Sequence, residues 1–160
     1  MKKSLVTVCL CLCVGALPSF GHAQELSSEI TDRCVRASVK VVMLNDSNGG
    51  STGSGSMIDT RGYVLTNFHV VGHMRPETGR PGQLYNARNR VHLATVNNAR
   101  QSARPRWLGV VVRGDVQLDL ALVRIVSDTD GHAVEGAPFH AVPMAPPDPL
   151  RPGSRVWAFG

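Results

Sequence analysis

The chain has 160 residues, about one domain's worth, which excludes a large multidomain enzyme. Hydrophobic residues make up 42% and charged ones 18%, so the chain has the means to bury a core and need not be disordered. The formal charge of +5 falls by two if Lys2 and Lys3 leave with a leader, and so mild an excess demands no nucleic-acid partner.

Residues 1–23 read as a secretory signal. Lys2-Lys3 precede an apolar stretch from Leu5 to Leu17, then Pro18, then small residues at Gly21 and Ala23 before a cut. The apolar run, about 13 residues, is shorter than the ~20 that a spanning helix needs. The expected product is exported, secreted or periplasmic, with no membrane partner after cleavage. Cys9, Cys11 and Cys13 would leave with the leader, and Cys34 alone cannot form an internal disulfide. Val8, Leu10 and Leu12 stand where lipid attachment wants a small residue, which argues against an anchor.

Residues 24–38 should hold a short helix, with Leu26, Ile30, Cys34 and Ala37 on one face and Ser27 or Ser28 as cap. Cys34 reads as a small core residue. From there to residue 144 the period is that of strands. Val39 to Leu44 is apolar and β-branched and stops at the turn cluster Asn45 to Gly50. Ser56-Met57-Ile58 and Tyr63 to Thr66 flank Asp59-Thr60-Arg61-Gly62, a hairpin with Gly62 where φ must be positive. Val91 to Val96, Trp107 to Arg113 and Leu120 to Val126 follow, the last two joined through Gly114-Asp115, and then two shorter runs, Ala141 to Met144 and Arg155 to Phe159. About seven short strands and almost no helix predict an all-β barrel or sandwich. The seven arginines from Arg75 to Arg106 have a single aromatic, Tyr85, among them and no regular spacing, and read as a solvated loop rather than an anion-binding strip.

Two segments carry chemistry. His69, in Leu65-Thr66-Asn67-Phe68-His69-Val70-Val71, is expected at the end of a strand, where its neighbours hold it while one ring nitrogen faces a cleft, as acid-base work at neutral pH requires. Asp119, in Asp119-Leu120-Ala121-Leu122-Val123, stands at the mouth of an apolar strand, where its carboxylate needs a donor such as an imidazole N–H. Asp115, beside Gly114, suits the plainer role of capping turn amides.

Gly53-Ser54-Gly55, the hairpin, Leu65 to Val71 and Asp119 to Val123 together resemble the trypsin-like serine proteases of chymotrypsin fold, nearest the bacterial HtrA-type branch. The resemblance runs from about Val39 to Gly160, is poor from His73 to Arg106, and extends to Pro152 to Gly160, which looks like the opening of the family's second barrel. It implies a chymotrypsin-like N-terminal barrel over residues 39–144, then a linker and the first strand of a second barrel over 145–160. It also implies a triad in the order histidine, aspartate, serine, with His69 as general base, Asp119 orienting it, polypeptides as substrates and no cofactor.

The sequence departs from that pattern in one respect. Neither Gly-Asp-Ser-Gly-Gly nor Gly-Asn-Ser-Gly-Gly occurs in it, so the nucleophile is expected in a continuation of the chain past Gly160. Ser54 lies in the structural Gly-Ser-Gly, and Ser154 looks like a turn serine. His69 and His73 lack the neighbouring Glu of a zinc-protease helix, so no metal is expected, and Gly49 to Gly55 reads as a turn rather than a phosphate loop. The leading expectation is a serine endopeptidase, inactive without its nucleophile. The alternatives are a non-catalytic, protease-like peptide-binding module and an unrelated barrel that binds anions through its arginines. Oligomeric state and cleavage preference are left open.

Overall fold

The computed structural model describes residues 25–44, 50–73, 83–84, 90–100, 102–136, 139–146 and 150–159. The leader and the Asn45 to Gly49 part of the expected turn lie outside the described residues, as does much of the arginine-rich stretch. Ten elements follow in chain order: α1 (Ser28–Ala37), β1 (Ser38–Leu44), β2 (Gly50–Asp59), β3 (Tyr63–Thr66), α2 (Phe68–Val71), β4 (Gly72–His73), β5 (Gln83–Leu84), β6 (Arg90–Thr95), β7 (Trp107–Asp115) and β8 (Leu120–Asp128).

Alternation builds the barrel. In β1, Val39, Val41 and Met43 are fully buried while Lys40 and Leu44 face out, and in β8 Ala121, Val123 and Ile125 are buried while Leu120, Arg124 and Val126 face out. Neighbouring strands pair antiparallel in the order β1-β2-β3-β8-β7-β6 and close on themselves, so no strand edge of this sheet is left unpaired. β4 and β5 form a separate two-stranded sheet. The expected all-β antiparallel barrel is the observed fold.

The β2–β3 hairpin turns at residues 59–62 with Gly62 at φ +88°, and the Gly62 N–H donates to the Asp59 carbonyl at 3.0 Å. Gly50 to Gly55, expected as a turn, is instead the first half of β2. Its missing side chains admit neighbours: a Cβ on Gly55 would stand 2.8 Å from Val64 Cγ1. The helix also differs from expectation. Ser27 caps it, accepting the Ile30 N–H at 3.3 Å, but Ile30 is 48% exposed, Cys34 is only half-buried, and Ala37 alone of the expected face reaches the core. After its 10 residues α1 runs straight into β1, and its C-terminal residue Ala37 is the one that joins the core.

Ala141 to Met144 and Arg155 to Phe159 are not strands. Val142 N–H donates to Met57 O at 3.0 Å and Val142 packs on the core, but the barrel is already closed by its six strands and offers no edge for a further ladder. Among the described residues no helix is long and apolar enough to cross a membrane.

Candidate active site

Register brings positions 69 and 119 together. β3 and β8 are antiparallel with Thr66 opposite Ala121, so the residues leaving β3 and those entering β8 share one end of the barrel. The pairing continues one step past the strands, as the Phe68 N–H donates to the Asp119 carbonyl at 3.2 Å. His69 is not at a strand end as expected but in the one-turn helix α2, where Phe68, Val70 and Val71 are buried and His69 alone points outward.

Two glycines let that turn sit down on the barrel. A Cβ on Gly53 in β2 would be 2.5 Å from Val70 Cγ2, and one on Gly114 in β7 would be 2.7 Å from both Phe68 Cδ2 and Cε2. Both contacts are closer than any real Cβ tolerates, so α2 occupies space that side chains at 53 and 114 would fill.

Asp119 closes the turn between β7 and β8 with φ +51°, and among the described residues no other non-glycine has positive φ. Aspartate is one of the few side chains that accept that left-handed conformation readily. Asp115 has the capping role expected of it, taking the Leu118 N–H on Oδ1 at 3.0 Å.

The Asp119 carboxylate is gripped from three directions. Oδ1 accepts the His69 backbone N–H at 2.9 Å, while Oδ2 faces His69 Nδ1 at 2.7 Å and accepts from Asn67 Nδ2 at 3.2 Å. Asn67 Nδ2 also reaches the Asp119 carbonyl at 3.1 Å. The His69 backbone N–H, ahead of the imidazole and Asn67, holds the Asp119 carboxyl below its ordinary 3.8, with partial burial opposing. An ionised carboxylate accepts only, so it assigns the Nδ1 proton to the ring and leaves the lone pair of the neutral imidazole on Nε2. The His69 side chain is 57% exposed and that of Asp119 only 28%, so the ring is presented to the surface from a more sheltered carboxylate. Beside them Ser54, Thr66, Asn67, Leu120 and Phe159 line a groove of about 200 Å³.

Asn67 was legible only as a polar neighbour, and its grip on Asp119 was not anticipated. A second Asp–His pair also escaped the sequence reading. At the end of β8, Asp128 takes the His132 and Asp130 backbone N–H groups on Oδ1 at 2.8 and 3.0 Å and faces His132 Nδ1 with Oδ2 at 2.9 Å. The His132 side chain, ahead of its backbone N–H, lowers the Asp128 carboxyl. Ligand-type atoms of Asp128, Asp130 and His132 lie within 4.8 Å of one another. Ser154 is the turn serine expected, its Oγ accepting the Arg151 N–H at 3.1 Å, and the Ser54 carbonyl, in β2, accepts from Thr66 Oγ1 at 2.8 Å.

Residues 53–160 match the family model for the trypsin-like peptidase domain. The chain belongs to that family. A curated relative of this trypsin-like domain, the putative protease Do-like 14 of Arabidopsis thaliana, is 34% identical over 114 residues, which is 71% of this chain and 22% of the relative. The chain therefore spans about a fifth of that relative's length. Among solved structures, that of Deg5 is 21% identical with a TM-score of 0.48, covering 79% of this chain and 54% of its own. The serine endoprotease from Yersinia pestis is 22% identical with a TM-score of 0.41, covering 69% and 34%.

Proposed function

We propose that this trypsin-like domain supplies the general base and its orienting carboxylate to a serine endopeptidase, nearest the HtrA-type branch, that acts on polypeptides after export. The supporting observation is the 2.7 Å contact between His69 Nδ1 and Asp119 Oδ2, made across 50 residues of chain and buttressed by the bond from the His69 backbone N–H to Asp119 Oδ1. In the proposed reaction His69 Nε2 takes the proton of a serine hydroxyl as that oxygen attacks the scissile carbonyl, and returns it to the leaving amine. Asp119 remains ionised, keeps the ring in the Nδ1–H tautomer and stabilises the imidazolium that forms. Backbone amides around the serine would hold the oxyanion, usually the largest electrostatic contribution.

In the proposed triad order the serine would follow Asp119, and the Gly-Asp/Asn-Ser-Gly-Gly pattern does not occur among the 160 residues. The nucleophile is therefore assigned to a continuation of the chain, and residues 1–160 alone should not hydrolyse peptides. A fluorophosphonate probe, which labels an activated serine, tests the reading on the full-length product. Labelling that disappears in His69→Ala supports it. Absence of labelling in the parent protein, or labelling indifferent to His69→Ala, would refute it.

A further inference from the structure

A cleft of about 260 Å³ lies where the last turn of α1 meets the ends of β6 and β7. Arg36 enters it from α1, Met57 from β2, and Arg106 and Trp107 from the start of β7. Phe139 and His140 close it from the segment that returns over the β2–β3 hairpin, held by the Phe139 N–H on the Thr60 carbonyl at 3.4 Å. None of these residues takes part in the His69–Asp119 site.

The chemistry of the walls is one-sided. Two arginines and a histidine are among the lining residues, and none of the described lining residues is acidic. Arg36 Nε is buried and has no hydrogen-bond partner. A guanidinium N–H withdrawn from water without an acceptor is unfavourable, and among the described residues none supplies one. Trp107 and Phe139, also in the lining, stand edge to face, with centroids 5.3 Å apart and planes at 80°, which gives the cleft an apolar part. Trp107 is fixed there by its indole N–H on Thr95 Oγ1 at 3.1 Å.

We propose that this cleft binds a compact carboxylate carried on an apolar body. The planar fork of arginine matches a carboxylate, which would meet Arg36 and Arg106 while the body rests on the aromatic pair. The volume is below the range of drug-sized pockets, so the ligand is about one ring or one amino-acid side chain in size. Two sources carry that chemistry: a free aromatic acid, and the C-terminal residue of a peptide.

The test is a titration of the full 15N-labelled chain, following the indole N–H resonance of Trp107. Sodium benzoate should move it saturably, whereas benzamide, of the same shape without charge, and inorganic phosphate, charged without an apolar body, should not. Arg36→Gln should weaken benzoate binding by about tenfold, the difference a charge-assisted hydrogen bond makes. Arg106→Gln, at an exposed position that leaves the core untouched, should weaken it as well. N-acetyl-Ala-Phe as the free acid, compared with its amide, separates the sources: tighter binding than benzoate assigns the cleft to peptide ends, weaker binding to a free acid. Equal shifts with benzoate and benzamide, or with benzoate and phosphate, would overturn the proposal. So would failure of both benzoate and the peptide acid to bind, or undiminished binding in both folded arginine variants.

Discussion

Asp119 holds His69 at two points, the backbone N–H at 2.9 Å and ring Nδ1 at 2.7 Å, so position and tautomer of the imidazole are set by the same carboxylate. Asp119→Asn separates these effects. Asparagine tolerates the φ of +51° and its carbonyl still accepts the backbone N–H, so the turn survives. Its amide N–H₂ would face Nδ1, however, and would draw the ring proton to Nε2, where a base must be empty. The expected result in the full-length protein is a fall in kcat of roughly a thousand- to ten-thousand-fold with KM little changed. A loss confined to KM would contradict the assigned role.

The same contacts make stability depend on pH. Folding holds the Asp119 carboxyl below its ordinary 3.8, through the His69 backbone N–H first, so near that pH the unfolded chain binds more protons than the folded one. Stability from this group is therefore fully present above the ordinary carboxylate range and is lost as pH falls through the lowered value. Urea unfolding followed from about pH 6 to about pH 2 should show a shallower acid decline in Asp119→Asn than in the parent. Parallel declines would mean that the contacts do not bias the carboxyl.

Asp59 offers a local version of that effect on the surface. Arg61 Nε and Nη2 donate to its two oxygens at 2.9 and 2.7 Å, and the Arg61 side chain, then its backbone N–H, brings the carboxyl down to about 2. In Arg61→Ala the NMR titration midpoint of Asp59 should climb most of the way back towards 3.8, since the backbone bond alone remains. A midpoint left near 2 would show that the guanidinium is not the cause.

Gly53 and Gly114 belong to different strands yet limit the same helical turn. Alanine at 114 would drive Phe68, and alanine at 53 would drive Val70, from the places they now fill, and His69 lies between those two residues. Each change should cost about 1–3 kcal/mol by overpacking. On the proposed function it should also lower hydrolysis by the full-length protein by up to roughly a hundredfold, because displacing a catalytic group by about 1 Å costs that much. Urea denaturation and steady-state kinetics read the two effects separately. A destabilised variant with full activity would show that α2 can shift without carrying the imidazole with it.

How much of this was legible beforehand follows from the kind of signal involved. The apolar, β-branched runs at Val39 to Leu44 and Leu120 to Val126 are local and gave their strands directly, and Gly62 marked its hairpin because a positive φ has few alternatives. Gly50 to Gly55 misled because glycine signals both a turn and close packing. Only the tertiary neighbours Val64 and Val70 decide which applies. Asp119 and His69 were legible as a pair through the family's motifs, but the one-turn helix around His69 was not, since four residues are too few to show a helical period. The Asp128–His132 pair was missed for the opposite reason. It is an i,i+4 contact around a turn, and nothing in Asp128-Thr129-Asp130-Gly131-His132 distinguishes it from an ordinary polar loop.

That second pair is the natural control for the first, because its hydrogen-bond pattern is nearly the same. In both, one carboxylate oxygen takes the backbone N–H of the histidine and the other faces Nδ1, at 2.9 and 2.7 Å for Asp119 and 2.8 and 2.9 Å for Asp128. What differs is the mounting. His69 is flanked by the buried Phe68 and Val70 and meets an aspartate from the distant β7–β8 turn, whereas the His132 side chain is 79% exposed and bonds to a residue four places back in its own turn. A catalytic base needs a fixed position relative to groups elsewhere in the fold, and a pair confined to one surface turn does not provide one. His132→Ala and Asp128→Asn should accordingly leave fluorophosphonate labelling and peptide hydrolysis by the full-length protein unchanged, while Asp119→Asn abolishes most of both. If the Asp128 change cost as much activity as the Asp119 change, hydrogen-bond geometry alone would not explain the choice of histidine, and the assignment of His69 as base would have to be reopened.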